Sequence, residues 1–480
     1  MKQKKMFILE GIEFIRAGAR GKAVGKAADG KVVLSSGVVP GDIADVRVIK
    51  KKKGHYEAKL HHLITPSGDR VQPECAHFGI CGGCKWQNLD YRKQLEYKED
   101  EVQNHLSRIG KVHPNSTLPI LASEDQYFYR NKLEFSFSNQ RWITDQEIRS
   151  GEDVGSRNAL GFHIPGMWDK VLDIQKCHLQ PDPSNEIRNF VRKFAEKHDL
   201  RFFDIREQQG LLRTLMIRTT LKGEVMVVIQ FFEKDTEAID SLLSALRDEF
   251  PQITSLMYVI NQKGNDSIYD QEVVLFHGRD HILEEMPSYF DDHPPLQFKI
   301  GPKSFYQTNP KQAYELYRTA LDLADLKGGE TVYDLYTGTG TIALFLAQKA
   351  GKVVGVESVP EAIEDAYVNM EMNGLKNLHF VAGDMKDVFT SEFVQENGHP
   401  DVIITDPPRD GMHKKVVETL LGLAPSRIVY VSCNSATQAR DLELMKEKYS
   451  LEISRAVDMF PHTHHIENVV LLKRKNEVGS

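Results

Sequence analysis

The chain has 480 residues, 41% hydrophobic and 27% charged, with a formal net charge of −7. That is the composition of an ordinary globular protein, and the length allows about three domains. No run approaches ~18 uninterrupted apolar residues, which excludes a membrane-spanning helix and leaves no membrane partner to expect.

The start, "MKQKKMFILEGIEFIRAGARG", has a basic head and a short apolar run that Glu10 and Glu13 interrupt, so no signal peptide is expected. A cytoplasmic location follows, and in a reducing compartment the five cysteines are not expected to form disulfides. The net charge argues against nucleic acid, but its distribution does not. Residues 1–70 carry 15 Lys and Arg against 7 Asp and Glu, a basic module joined to an acidic body. The run "VIKKKKGHYEAKLHH" concentrates that charge and is a candidate phosphate-contacting patch as well as a solvated loop.

Residues 6–65 alternate short β-type runs with glycine turns, one of them at Ala28-Asp29-Gly30, and predict a small β-barrel. Next comes "ECAHFGICGGCKWQ", which places Cys75, Cys81 and Cys84 within ten residues. Cys177 is the candidate fourth ligand, and four thiolates suit tetrahedral zinc or a 4Fe–4S cluster. Tyr91 to Gly110 reads as a charged amphipathic helix stopped by its glycine, free to pack on a later domain. Residues 121–300 mix strands with one or two helices. Within them "YFYRNKLEFSF" interleaves aromatics with Arg130 and Lys132, mainly a strand with one core face and also a candidate stacking surface for unpaired bases. From Gly301 the runs "TVYDLYT", "VVGVES", "LHFVAG", "DVIITD" and "RIVYVS" alternate with helices, the pattern of a doubly wound parallel sheet. The tail after Lys473 is polar and expected to be loose.

In "TVYDLYTGTGTIALFLAQ" a strand leads to Gly338 and Gly340 and then a helix, and Glu357 ends the next strand 19 positions beyond Gly338. Glycines admit a ligand close to the backbone, and the acid suits ribose hydroxyls. This motif alone does not separate NAD from S-adenosylmethionine. "DVIITDPPRDG" then holds Asp406 at the carboxyl end of a strand, its turn stiffened by two prolines. A dehydrogenase has no evident use for that turn. Cys433 leaves the following strand at the same edge, a candidate nucleophile rather than a buried small hydrophobe. Such a thiol serves a pyrimidine acceptor: adding to C6, it moves electron density to C5, which then takes a methyl group. A base must remove the C5 proton, and Glu467 is the candidate. His462, His464 and His465 lack a metal-ligand pattern and read as hydrogen-bonding or RNA-contact residues.

The segments "KSFYQTN", "DLYTGTGT", "TDPPRDG", "VSCNSATQARDL" and "FPHTHHIENVVLL" together resemble the RNA uracil-5-methyltransferases, which use S-adenosylmethionine. The barrel resembles a TRAM domain, and the cysteine spacing resembles the subgroup that carries a 4Fe–4S cluster and methylates 23S ribosomal RNA. The resemblance implies Cys433 as nucleophile and Glu467 as base. It implies cofactor contacts from Gln307, Tyr336, Glu357, Asp384 and Asp406, and a 4Fe–4S cluster on Cys75, Cys81, Cys84 and Cys177. Arg409 is read as orienting the base or stabilising an enolate oxygen.

The expected fold is α/β: a Rossmann-like methyltransferase domain (91–120 and 301–480), an OB-like TRAM barrel (1–66) and a central α+β domain with the cluster (67–90 and 121–300). The expected partner is RNA, most directly 23S ribosomal RNA, with no obligatory protein partner. The alternatives are a transfer RNA methyltransferase and a non-catalytic RNA-binding iron–sulfur protein.

Overall fold

A computed structural model describes residues 7–151, 153 and 155–475, so the chain's first six residues and most of the polar tail lie outside the described residues. Strands β1 (Ile8–Gly18), β2 (Lys22–Lys26), β3 (Val32–Ser36), β4 (Ile43–Lys51) and β5 (His55–Thr65) close into a barrel in the order β1-β2-β3-β5-β4. Alternate residues point inward, so Phe14, Val33, Ala44, Val46 and Ala58 fill its core. The expected turn is present: Gly30 takes φ +83 and its N–H donates to Ala27 O at 2.9 Å.

After the barrel come the helix Tyr91–His105 and strand β6 (Ser116–Leu121). Asp90 caps this helix, its side chain accepting from Arg92 N. A π-type turn, Leu106–Gly110, ends it with Lys111 in the left-handed region. The face it buries carries Gln94, Lys98 and Val102.

Strands β7 (Lys132–Ser138), β8 (Ala159–Ile164), β9 (Met167–Asp173), β10 (Leu212–Thr219), β11 (Val225–Phe231), β12 (Ile253–Ile260) and β13 (Val274–Gly278) form a seven-stranded sheet in the order β13-β12-β11-β10-β7-β8-β9. Strands β10 and β11 are buried along their whole length, which is why they read as continuous apolar runs. Strands β14 (Ile282–Met286) and β15 (Leu296–Ile300) pair as a hairpin.

The last sheet contains β16 (Thr331–Leu335), β17 (Lys352–Glu357), β18 (Leu378–Ala382), β19 (Val402–Thr405), β20 (Arg427–Ser432), β21 (Tyr449–Val457) and β22 (Glu467–Arg474), with β6 at its edge, in the order β18-β17-β16-β19-β20-β22-β21-β6. The first five of these strands pair in parallel, as the alternating pattern predicts. Arg474 N, at the end of β22, donates to Ser426 O just before β20 at 3.0 Å. Strand β22 therefore runs against β20, and its first residue, Glu467, stands beside the carboxyl end of β20.

The chain divides into two compact units: Met1–Gln126 with Pro408–Met412 and Val431–Val470, and Tyr127–Pro407 with His413–Tyr430 and Leu471–Ser480. The helix Tyr91–His105 packs on β21 and on the helix Ser435–Met445, and so joins the barrel's unit.

Candidate active site

In the first unit the chain leaves β20 at Ser432, turns through Cys433 and enters the helix Ser435–Met445. The turn is held by short-range polar bonds. Ser432 Oγ accepts from Asn434 N at 3.1 Å, and Asn434 caps the helix by accepting from Ala436 N at 3.2 Å. Cys433 is half-buried there. The carbonyl of Arg409 accepts from Asn434 Nδ2 at 2.9 Å and from Thr437 Oγ1 at 3.1 Å, which fastens the Pro408–Met412 segment to the same turn. The guanidinium of Arg409 is exposed and lies 3.5 Å from His465 Nδ1.

Glu467 opens β22 and is only 5% exposed, so it is not a solvated strand start. The next residue, Asn468, is fully buried and exchanges bonds with Gln438. Gln438 Nε2 donates to Asn468 O at 3.1 Å, and Asn468 Nδ2 donates to Gln438 Oε1 at 2.8 Å. Ser454 Oγ on β21 donates to Asn468 Oδ1 at 3.1 Å. Gln438 lies one helical turn beyond Cys433, so a buried amide pair ties the candidate nucleophile's helix to the candidate base's strand. Neither Gln438 nor Asn468 stands out in the sequence.

The segment leading to Glu467 is anchored from below. Lys98 and Asp458 are both fully buried and paired at 2.6 Å, and Tyr91 Oη donates to Asp458 Oδ2 at 2.9 Å. Burial is the main force lowering the Lys98 pKa, and Asp458 opposes it. His462 takes φ +64, and its carbonyl accepts from Lys85 N at 2.7 Å and Trp86 N at 3.0 Å. His464 and His465 stack with centroids 4.2 Å apart. The histidines thus serve a packed loop and an aromatic surface.

In the second unit Gly338, at φ +56, follows β16, and a Cβ there would meet nothing within 4 Å. Its N–H donates to Glu357 Oε2 at 3.2 Å, so the glycine turn and the acid 19 residues later do meet. Glu357 also accepts from Ser358 N at 2.7 Å and Val359 N at 3.0 Å. Thr339 Oγ1 donates to Phe305 O at 3.3 Å, binding the Lys303–Asn309 segment, with Gln307, to this turn. Tyr336 takes φ +63, an uncommon conformation for an aromatic residue, two positions before Gly338. Asp384 is exposed and turns back on its own helix, accepting from Lys386 N at 3.0 Å and pairing with Lys386 Nζ at 2.9 Å.

Asp334 is buried on β16 with Thr337 Oγ1 donating to Oδ2 at 2.5 Å, while Oδ1 has no partner. Burial, reinforced by Asp406, pushes its pKa up to about 7, and burial raises Asp406 likewise. Two carboxyls with raised pKa values beside the glycine turn mark a candidate functional position. Asp334 opens the "DLYTGTGT" segment, yet an acid inside an apolar strand run carries no ligand signal of its own.

Cys75, Cys81 and Cys84 share one loop in the first unit, and Cys177 belongs to the second. Gly83 N lies 3.5 Å from Cys81 Sγ, and Gln87 Nε2 lies 3.2 Å from Cys84 Sγ, both donating toward sulfur. Cys177 N donates to Asn185 Oδ1 at 2.8 Å. Among the described residues, however, no three His, Cys, Asp or Glu side chains are grouped to hold a metal ion. The expected 4Fe–4S cluster is therefore without support here.

Residues 204–475 match the family model for tRNA (uracil-5-)-methyltransferases, more than half of the chain. The chain belongs to the tRNA (uracil-5-)-methyltransferase family. An uncharacterized RNA methyltransferase of Porphyromonas gingivalis is 53% identical to this family member over 473 residues, 97% of this chain and 100% of the relative. One from Bacteroides thetaiotaomicron is 53% identical over 95% of this chain and 99% of its own length. The crystal structure of the Pyrococcus abyssi tRNA (uracil-54, C5)-methyltransferase in complex with S-adenosyl-L-homocysteine superposes with a TM-score of 0.73 at 28% identity, covering 96% of this chain and all of that one. The methyltransferase is therefore an RNA-modifying enzyme with an α/β fold and an amino-terminal barrel. Among its described residues no helix is long and apolar enough to cross a membrane.

Proposed function

We propose that this methyltransferase transfers a methyl group from S-adenosylmethionine to C5 of a uridine in 23S ribosomal RNA, through a temporary bond between Cys433 and C6 of the base. The observation that carries this reading is the strand order: β20, which ends just before Cys433, neighbours the antiparallel β22, which opens on Glu467.

The chemistry follows from those two groups. The Cys433 thiolate bonds to C6, and the C5=C6 electrons move through C4 to its oxygen as an enolate. When bound, S-adenosylmethionine supplies the methyl group, and its sulfur keeps the electrons of the broken bond. C5 now carries both methyl and hydrogen. Glu467 takes that proton, the C–H electrons restore C5=C6, and the Cys433 sulfur leaves with its bond pair. Arg409, held by its carbonyl to the Cys433 turn, offers its guanidinium to the enolate oxygen. Gln307, Tyr336, Glu357, Asp384 and Asp406 are assigned to the cofactor, and Asp334 joins them. In this reading the barrel and the central α+β region are the RNA-holding parts of a three-part enzyme.

Transfer RNA is the second reading, favoured by the solved tRNA enzyme that spans 96% of this chain, barrel included. A barrel therefore does not by itself select ribosomal RNA. A 4Fe–4S cluster on Cys75, Cys81, Cys84 and Cys177 rests on sequence spacing and family resemblance, and no step above uses it. Iron and acid-labile sulfide in equal amounts in anaerobically purified protein support the cluster, and metal-free protein overturns it.

The deciding experiment supplies S-adenosylmethionine with 5-fluorouridine-containing 23S RNA or transfer RNA. Fluorine blocks the final elimination, so a denaturation-resistant adduct is expected on 23S RNA. An adduct on transfer RNA alone replaces the substrate, and none on either RNA removes the covalent mechanism.

A further inference from the structure

Where β1 passes into β2, the barrel turns through Ala19–Gly21 with two successive left-handed residues, Arg20 at φ +62 and Gly21 at φ +70. The turn leaves Arg20 exposed. It packs closely on two other segments of the same unit: a Cβ at Gly21 would lie 3.0 Å from Lys85 Cβ and 3.4 Å from His464 Cβ. Trp86 Nε1 donates to Gly21 O at 3.2 Å. With the bonds from Lys85 N and Trp86 N to His462 O, these make the barrel turn, the Lys85–Trp86 pair and the His462–His465 loop one fixed assembly. Arg409 reaches the same loop at His465.

The charges in this assembly do not balance. Lys98 beneath it is matched by Asp458. Arg20, Lys85 and Arg409 have no ion-pair partner among the described residues. All three act on His464, whose pKa is lowered to about 4, first by burial and then by Lys85, Lys98, Arg409 and Arg20. The ring is thus neutral near pH 7, and its buried Nδ1 has no hydrogen-bond partner. The Arg20–Gly21 turn packs against Lys85, and cations on one surface without an ion-pair partner favour an anionic ligand. Two further connections say which anion. The loop bearing His464 continues directly into Glu467, and the Arg409 carbonyl is bonded to Asn434, next to Cys433.

We infer that Arg20 and Lys85, beside His464, bind a backbone phosphate of the RNA strand that carries the target uridine, while Arg409 stays with the reacting base. The inference rests on the RNA-methylating reading above. It gives the barrel a specific role, because its first turn delivers a cation to the catalytic edge and fixes the strand where the base must leave its stack. Such a contact sets position and affinity, not sequence preference.

The test uses Arg20→Gln and Lys85→Gln in the full-length chain, with 23S RNA transcripts and filter binding across a salt series. Each variant is expected to weaken RNA binding about fivefold and to reduce the salt slope by about 0.7 to 0.9, the share of one phosphate contact. Turnover at saturating RNA should stay within about twofold of wild type, and Arg20→Lys and Lys85→Arg should bind as wild type does. Unchanged affinity and slope overturn the inference, as does lost turnover with unchanged affinity. Ethylation interference on the wild-type protein is independent of the variants' folding. One phosphate beside the adducted uridine whose ethylation blocks adduct formation supports the site, and none overturns it. A wild-type protein that forms no adduct with any RNA sinks the proposed function instead, whereas an active wild type with indifferent variants sinks only the phosphate site.

Discussion

Gln438 and Asn468 are fully buried and hold each other through two hydrogen bonds, 3.1 and 2.8 Å long, thirty residues apart in the chain. Each neighbours a candidate catalytic residue, Gln438 through the first turn of its helix and Asn468 by direct adjacency to Glu467. The pair is the simplest physical reason for the thiol and the carboxylate to keep a constant separation.

Gln438→Leu leaves Asn468 with an unmet buried donor and lets the helix shift against β22. Turnover is expected to fall about tenfold to a hundredfold, as sub-ångström misplacement of reacting groups does. Calorimetry should show cofactor affinity unchanged. Equal loss of cofactor binding would mean a general packing defect instead.

Cys433→Ser should lower methyl transfer by more than about 10³-fold and abolish the 5-fluorouridine adduct. Glu467→Gln should slow turnover by about 10² to 10⁴-fold. It should also leave unmodified-uridine RNA trapped on the protein, because C5 keeps its proton. Denaturing gels with labelled RNA separate the two outcomes.

The acid pair predicts a pH dependence. With pKa values raised to about 7, Asp334 and Asp406 in the empty protein keep their protons far above the value near 4 of an unfolded carboxyl. The native state therefore binds more protons between about pH 4 and pH 7. The stability this contributes is fully present below that window and is lost as pH rises through it. Cationic S-adenosylmethionine prefers the ionised pair, so its affinity should rise through pH 7 and level off about one unit above it. Titration calorimetry at several pH values checks this, and Asp334→Asn should flatten the curve.

Lys98→Met strands the Asp458 carboxylate in the interior and is expected to cost about 3 to 5 kcal/mol. Thermal melts of Lys98→Met and of a Lys98→Met/Asp458→Leu double variant test it. The double variant should recover most of the loss, since burying neither charge is cheaper than burying one.

Much was legible in the sequence because it is local. The five apolar runs from Thr331 to Ser432 became β16 to β20, and the Gly30 turn and the helix stop at Gly110 followed from residue chemistry within a few positions. The helix beginning at Tyr91 was legible in extent but not in orientation. Its buried face carries Gln94 and Lys98, residues a hydropathy pattern assigns to solvent, because their partners His462 and Asp458 lie some 360 positions away. The cysteine spacing announces ligands, but among the described residues no group of three is placed to hold a metal ion, so spacing alone carries that reading.

By itself, the sequence determined the parallel sheet, the glycine turn with its acid, the stiff Asp406-Pro407-Pro408 turn and the thiol after β20, since each depends on backbone conformation over a few bonded neighbours. Only the tertiary structure decided that β22 runs antiparallel between β20 and β21, so that its first residue starts beside the carboxyl end of β20. It alone placed Gln438 on Asn468, and the Arg20–Gly21 turn of the barrel against Lys85 and His464. Such partnerships are set by the order in which strands hydrogen-bond and by which surfaces close together, and distance along the chain carries no record of either.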